Sequence, residues 1–282
     1  PPPAPPGGGG APPRGRPPPP PGRGAPPPPA ARGGAGDIAA AVDAARAAQS
    51  GWGNASPQRR ADVLRRAGDM LLARNDEIGR LLAREEGKTL AEAKGEALRA
   101  AQLFHFFSGE AVRNPGEKLN AIREGVEVDV MREPLGVVGL ITPWNFPIAI
   151  PAWKAAPALA AGNAVVMKPA ELTPGCAHLL AEVLEQAGCP PGVFNLVMGK
   201  GSEIGNALVE HPDVAAISFT GSERVGRGIA QGCARTMKKV QLEMGGKNPM
   251  VVLADADLDL AVNACLNGAF FSTGQRCTAS SR

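Results

Sequence analysis

Beyond residue 36 the chain carries two rhythms of apolar and polar positions, and each predicts its own kind of element. From Asp37 the spacing is helical. Ser56-Pro57 places a capping hydroxyl ahead of a proline at a first helical position, and Val63, Leu64, Ala67, Leu71 and Leu72 then recur at helical intervals. Gly87 supplies a stop, and Thr89-Leu90-Ala91-Glu92 is a capping box opening another helix through Leu98, Leu103 and Phe106 to about Ala111. The period then falls to two over Gly125-Val126-Glu127-Val128-Asp129-Val130, which predicts a strand or hairpin exposed on one face.

After Pro134 short apolar runs alternate with helical stretches. Runs at 137–141, 164–167, 193–197, 214–219 and 239–242 are too apolar to face water on both sides. They predict an α/β fold, a Rossmann-like parallel sheet with flanking helices. Thr173-Pro174 opens one of those helices, Gly188 and Pro190 end it, and others begin near Ser202 and Ser222. A further strand is expected at 250–253 and an apolar helix at 258–270. Asp255, Asp257 and Asp259 lack the turn glycine and distal glutamate of a calcium loop, so they read as helix caps.

Composition changes the picture at the front. Residues 1–36 hold 16 of the 29 prolines and are otherwise Gly, Ala and Arg. Such a segment buries too little apolar surface to offset its ordering entropy, so disorder is predicted. It lacks the interleaved aromatics of an RNA-binding tail, which leaves a linker or a non-native end as the preferred reading. The formal charge of +3 includes Arg14, Arg16, Arg23 and Arg32 from this segment, so the body is nearly neutral and a nucleic-acid surface is not expected. Five cysteines at irregular spacing, with scattered His105, His178 and His211, fit neither a disulfide framework nor a metal site. A reducing, cytoplasmic setting fits better. No apolar run reaches the ~18 residues of a membrane span. The chain opens without Met and stops five residues after Cys277, so a fragment at both ends is expected.

Chemistry concentrates at five segments. Cys277, in FFSTGQRCTASSR, sits among small, polar and cationic neighbours that favour a thiolate, and is the candidate nucleophile. Glu243, in LEMGGK, lies between apolar residues before two glycines, where partial desolvation would raise its pKa toward that of a general base. Asn145, in TPWNFP, is fixed in a stiff loop at a strand end, where an amide N–H can stabilise an oxyanion. Backbone capping is the alternative for both polar residues. Lys168 and Glu171 end another strand, suited to ribose hydroxyls or to a plain solvated ion pair. Gly221 and Ser222, with Val225 and Gly226 beyond, form a strand-to-helix junction suited to a phosphate or to tight packing.

PWNFP, KPAE, FTGS, LEMGGK and FFSTGQRC, in this order over about residues 37–282, resemble the NAD(P)-dependent aldehyde dehydrogenase superfamily. The wider match looks most like the 2-oxoglutarate semialdehyde branch, with succinate-semialdehyde dehydrogenases as near neighbours. The resemblance implies that Cys277 attacks an aldehyde, that Asn145 and the Cys277 N–H hold the oxyanion, and that Glu243 activates the water that hydrolyses a thioester. It implies cofactor contacts from Lys168, Glu171, Gly221, Ser222, Val225 and Trp144. Glu171 beside the ribose favours NAD, with NADP as the alternative. It further implies a nucleotide-binding domain over 37–244, an excursion at 123–133 used in oligomerisation, a truncated catalytic domain from 245 to 282, and a parent homodimer or homotetramer. The resemblance also implies that the polypeptide alone is inactive. A CoA-acylating member and a non-catalytic dinucleotide-binding fragment are the competing readings. Arg276 is read as favouring a distal carboxylate, as tuning the thiol, or as pointing away. Phe106 and Phe107 are read as a channel wall or as core.

Overall fold

The computed structural model describes residues 32–282. The expected disorder spans residues 1–36; of these, 1–31 lie outside the described residues, while 35 and 36 are helical. Helical order begins two residues earlier than expected: α1 spans Ala35–Gly53, and Gly33 N–H ahead of it already bonds Met198 O at 2.7 Å. The next helices follow their punctuation. In α2 (Pro57–Ala73) the Ser56 hydroxyl accepts the Arg59 N–H; α3 (Asn75–Glu86) stops at Gly87, whose φ of +92° suits only a residue without a Cβ. The capping box forms as read, Thr89 accepting from Glu92 N and Glu92 from Thr89 N, and opens α4 (Leu90–Ala111).

A separate antiparallel hairpin follows, β1 (Glu117–Asn120) with β2 (Glu127–Val130), exposed along both strands. The period-two signal located β2. Its partner β1, with charged and apolar residues mixed over four positions, carried no such signal.

The main sheet is fully parallel. Its strands are β3 (Val137–Ile141), β4 (Ala164–Lys168), β5 (Phe194–Leu196), β6 (Val214–Gly221) and β7 (Lys239–Met244), in the order β5-β4-β3-β6-β7. Four helices make the crossovers: α5 (Ala149–Ala160), α6 (Pro174–Gln186), α7 (Asn206–Glu210, preceded by a π-helical turn Gly201–Gly205) and α8 (Glu223–Arg235). Alternate residues divide between two cores. Val138, Leu140, Val165 and Met167 pack with α2, α4, α5 and α6, whereas Val137, Ile141, Ala164 and Val166 pack with α1, α7 and α8.

Two expectations need correcting. The edge strand β7 is exposed at every position but Leu242: β6 alone pairs with it, and α8 covers only the face that carries Leu242 and Met244. The segment 250–253 is extended but forms no ladder; Val251, Val252 and Leu253 are exposed, and the nearest pairing is a single bridge from Asn248 to Ser280. An apolar run becomes a strand only with a neighbour to share its hydrogen bonds. Beyond it, α9 (Leu258–Phe270) is capped by Asp257, whose carboxylate accepts the Leu260 N–H at 3.0 Å, and it buries none of its residues. No described helix is long and apolar enough to cross a membrane.

Candidate active site

The strand order sets the place. The chain winds outward from β3 to β4 and β5, then returns to the other side of β3 for β6 and β7, which leaves a crevice beyond the carboxyl ends of β3 and β6. The segments leaving β3, β4 and β6 carry Trp144 and Asn145, Glu171, and Ser222 with Val225, whereas Glu243 lies in β7 and Cys277 beyond α9.

After β3 the chain enters Thr142-Pro143-Trp144-Asn145-Phe146-Pro147. This loop is held from below by a buried charge cluster. Lys88 donates to the Asn145 backbone carbonyl at 3.0 Å and to Glu96 at 2.6 Å, and its ammonium lies 4.3 Å from the centre of the Phe146 ring. The other oxygen of Glu96 accepts the Ile148 and Ala149 N–H groups, both at 3.1 Å, and so satisfies the free donors at the start of α5. Glu86 completes the cluster 3.8 Å from Lys88. Burial pushes its carboxyl pKa up against the counter-pull of Lys88, and one of its oxygens has no partner among the described residues.

The side chain of Asn145 points from this loop to the Cys277 segment, donating to Gln275 O at 2.7 Å. The structure thus brings the candidate oxyanion donor to within two residues of the candidate nucleophile, although one of its amide hydrogens is engaged by the backbone. A second tie runs from α4, where Glu92 accepts the Ser272 N–H at 2.8 Å. Desolvation raises the pKa of Glu92, but the Ser272 N–H and the Thr89 hydroxyl and N–H outweigh it and leave a net lowering. Between these anchors Ser272 and Thr273 adopt φ values of +52° and +57° in a 3₁₀-type segment, Phe271–Gly274. Cys277 itself is exposed, with its carbonyl accepting from Asn248 at 2.6 Å.

Arg276 does not tune the thiol through a direct contact. Its guanidinium turns back to the last turn of α9, donating to Asn267 O at 2.6 Å and Gly268 O at 3.0 Å, and lies over the Phe271 ring. A cation at a helix C-terminus satisfies orphan carbonyls and complements the helix dipole. Glu243 is likewise unlike its expectation: it is exposed at the end of β7, and its hydrogen bond is from Gln241 Nε2 at 2.8 Å. The desolvation inferred from its apolar neighbours fails because those neighbours, Leu242 and Met244, point to the opposite face of an edge strand. No direct contact joins Glu243 to Cys277.

The nucleotide candidates are better assembled. Lys168 is buried at the end of β4, and burial lowers its amine pKa, opposed by Glu171. Glu171 is exposed and accepts the Gly201 N–H at 3.0 Å, which draws the π-helical turn toward the same edge. Gly221 ends β6, and Ser222 precedes α8 with no side-chain cap, so the first-turn N–H groups of that helix have no hydroxyl partner there. Gly226 on its first turn is pressed against the sheet: a Cβ there would lie 2.6 Å from Met244 Sδ. Val225 and Trp144 are both partly open, at 42% and 36% exposure, which leaves them free to line a ligand. These residues fit a dinucleotide, with an anion-favouring helix start, a close backbone approach and a Lys/Glu pair at one strand end. Phe106 is exposed and stacks edge-on with Phe107 at 5.1 Å, while Phe107 is half-buried and packs against the core.

Lys88 and Glu96 escaped the sequence reading, and Glu92 was read only as a capping-box residue, without its hold on Ser272. Glu96 did leave a trace, since it shares a helical face with Ala93, Ala97 and Ala100, all of them buried. A carboxylate in such a stripe needs a buried partner.

Comparison with known proteins gives consistent matches. The profile of the aldehyde dehydrogenase family matches residues 22–282. An alpha-ketoglutarate semialdehyde dehydrogenase of Haloferax volcanii is 47% identical over 246 residues, covering 87% of this chain and 51% of its own. An NADP-dependent succinate-semialdehyde dehydrogenase of Escherichia coli is 43% identical, covering 88% and 52%. The crystal structure of a betaine aldehyde dehydrogenase from Staphylococcus aureus in complex with NAD+ superposes with a TM-score of 0.87 at 38% identity, covering 89% and 50%. The chain spans about half the length of the curated relatives it matches.

Proposed function

The chain belongs to the aldehyde dehydrogenase family, and from that premise we propose that it carries the nucleotide-binding part and the nucleophile of an enzyme oxidising a small semialdehyde to its carboxylate. The observation that carries the reading is the hydrogen bond from the Asn145 amide to Gln275 O, which sets an oxyanion donor beside the Cys277 segment. Cys277 Sγ attacks the aldehyde carbon. The Asn145 amide and the Cys277 N–H stabilise the charge that develops on oxygen. NAD, when bound, accepts the hydride, and the sulfur is left as a thioester. Glu243 takes a proton from the water that cleaves it, which favours hydrolysis over transfer to a CoA thiol.

Lys168 and Glu171 bind the adenosine ribose, the α8 start with Gly221 and Ser222 receives the pyrophosphate, and Val225 and Trp144 flank the cofactor. The likeness to an alpha-ketoglutarate semialdehyde dehydrogenase supports a dicarboxylic semialdehyde as substrate. Exposed Val126, Val128 and Val130 on the β1–β2 hairpin support assembly of the parent as a homodimer or homotetramer through that hairpin. Five free cysteines support a cytoplasmic setting.

The 282-residue polypeptide does not turn over alone, because Cys277 and Glu243 both stand open to water. Incubation with NAD and 2-oxoglutarate semialdehyde tests this: cofactor binding without sustained NADH production is expected. Sustained NADH would overturn the inactivity, and failure to bind NAD would overturn the cofactor assignment.

A further inference from the structure

A second group with carbonyl chemistry lies away from the thiol. Lys154, on α5, projects over the sheet face formed by β3, β6 and β7, where it lines a groove of about 330 Å³. The floor is apolar, built by Val138, Leu140, Ala216 and Ile217, with Gln241 and Ser218 on one wall. The residue is only 9% exposed, yet its ammonium meets no carboxylate at hydrogen-bond distance. It donates to two neutral acceptors, Ser218 Oγ at 2.7 Å and Gln241 Oε1 at 3.1 Å. The charged groups nearby are Glu243 on β7, which attracts it at longer range, and Lys239, which lines the same groove.

We propose that Lys154 is an aldehyde-reactive amine, and that its groove admits a short aldehyde with an apolar body that condenses with it to an imine. Two hydrogen bonds to neutral acceptors fix the nitrogen and leave its third substituent position directed away from them. The neutral amine adds to the carbonyl carbon, a C–N bond forms, and the carbonyl π pair takes up a proton to become a hydroxyl. Loss of that hydroxyl with a second proton from nitrogen releases water and leaves the C=N bond. No oxidant or reductant takes part.

Burial supplies the neutral amine that this step needs. It pushes the pKa of Lys154 down to about 8, with Glu243 opposing the shift. An ordinary lysine near 10.4 holds only about one part in a thousand neutral amine at pH 7.5, so the fraction here is larger by roughly two orders of magnitude. The reaction is independent of Cys277. An aldehyde held by a thiol returns as free aldehyde, whereas an imine is trapped by mild hydride reduction.

The test uses the 282-residue chain with pentanal and sodium cyanoborohydride, read by peptide mass mapping. Lys154 is expected to be alkylated at least about tenfold faster than exposed Lys200 and Lys247 at about pH 7.5, with a rate rising through a midpoint near 8. Lys154→Met should abolish the fast phase. Gln241→Glu places a carboxylate on the ammonium, raises its pKa, and should slow labelling several-fold while keeping the lysine, which decides the matter if the first variant does not fold. Labelling of Lys154 no faster than of the exposed lysines, a fast phase surviving in Lys154→Met, or one unchanged in Gln241→Glu would overturn the proposal.

Discussion

Lys88 and Glu96 form an ion pair at 2.6 Å with both side chains essentially inaccessible, 0% and 2% exposed, and the same ammonium holds the backbone carbonyl of Asn145. Eight residues separate the partners in sequence, one just before the α4 capping box and the other in the second turn of that helix. The pair therefore couples the front helices to the loop that follows β3.

Removing one partner of this pair strands the other. Lys88→Met is expected to destabilise the chain by about 3–5 kcal/mol, the usual cost of leaving a buried charge uncompensated. Urea unfolding followed by circular dichroism measures it. A loss below about 1 kcal/mol would show that water already reaches the cluster.

The five cysteines should separate into classes on alkylation. Burial pushes the Cys189 thiol up to about 12 and raises those of Cys176 and Cys233 as well. Cys277 is exposed and Cys265 half-buried. Iodoacetamide at about pH 8, with mass mapping over time, should label Cys277 first and the three buried thiols only after unfolding, since access and thiolate content act together.

Glu171 is expected to set the choice between cofactors. Its carboxylate accepts the Gly201 N–H and, beside a ribose, would repel a 2′-phosphate. Glu171→Ala should weaken NAD binding by about 1–2 kcal/mol and narrow the preference for NAD over NADP, because a charge-assisted hydrogen bond and a like-charge repulsion are lost together. Titration of both cofactors by intrinsic tryptophan fluorescence reads the ratio; an unchanged ratio would remove Glu171 from the site.

Lys154 makes stability depend on pH. Its folded pKa of about 8 lies below the unfolded value of 10.5, so between those values the unfolded chain binds a proton that the folded chain does not. Stability contributed by this residue therefore rises from about pH 8 toward 10.5, and the penalty for the buried charge is in full force below 8. The urea midpoint of the wild-type chain minus that of Lys154→Met should climb over that window. A flat difference would place the amine in water.

Much of the fold was legible because its signals were local. Ser56-Pro57, Gly87, the Thr89 capping box and Thr173-Pro174 each state a boundary within four residues, and all lie where the structure has them. The five parallel strands announced themselves as apolar runs. The segment 250–253 carried the same signal and failed, because pairing depends on a neighbour that sequence does not display. The site was legible in its residue types but not in its support. Asn145 was singled out as a candidate from its loop; the reason it stays in place lies in Lys88 and Glu96, whose meeting depends on tertiary packing. Glu243 shows the opposite error, since apolar neighbours in sequence implied burial that an edge strand does not provide.

Glu92 and Glu96 stand one helical turn apart on α4, and they hold two different loops: Glu92 the Ser272 N–H, Glu96 the start of α5 behind Asn145. Their joint action depends on helical phase. Inserting or deleting one residue between them would rotate one carboxylate by about 100° relative to the other, so that only one loop could still be met. Length variation should therefore be tolerated in the hairpin connection after Asn120 but not within this turn of α4, even where every inserted residue is a good helix former.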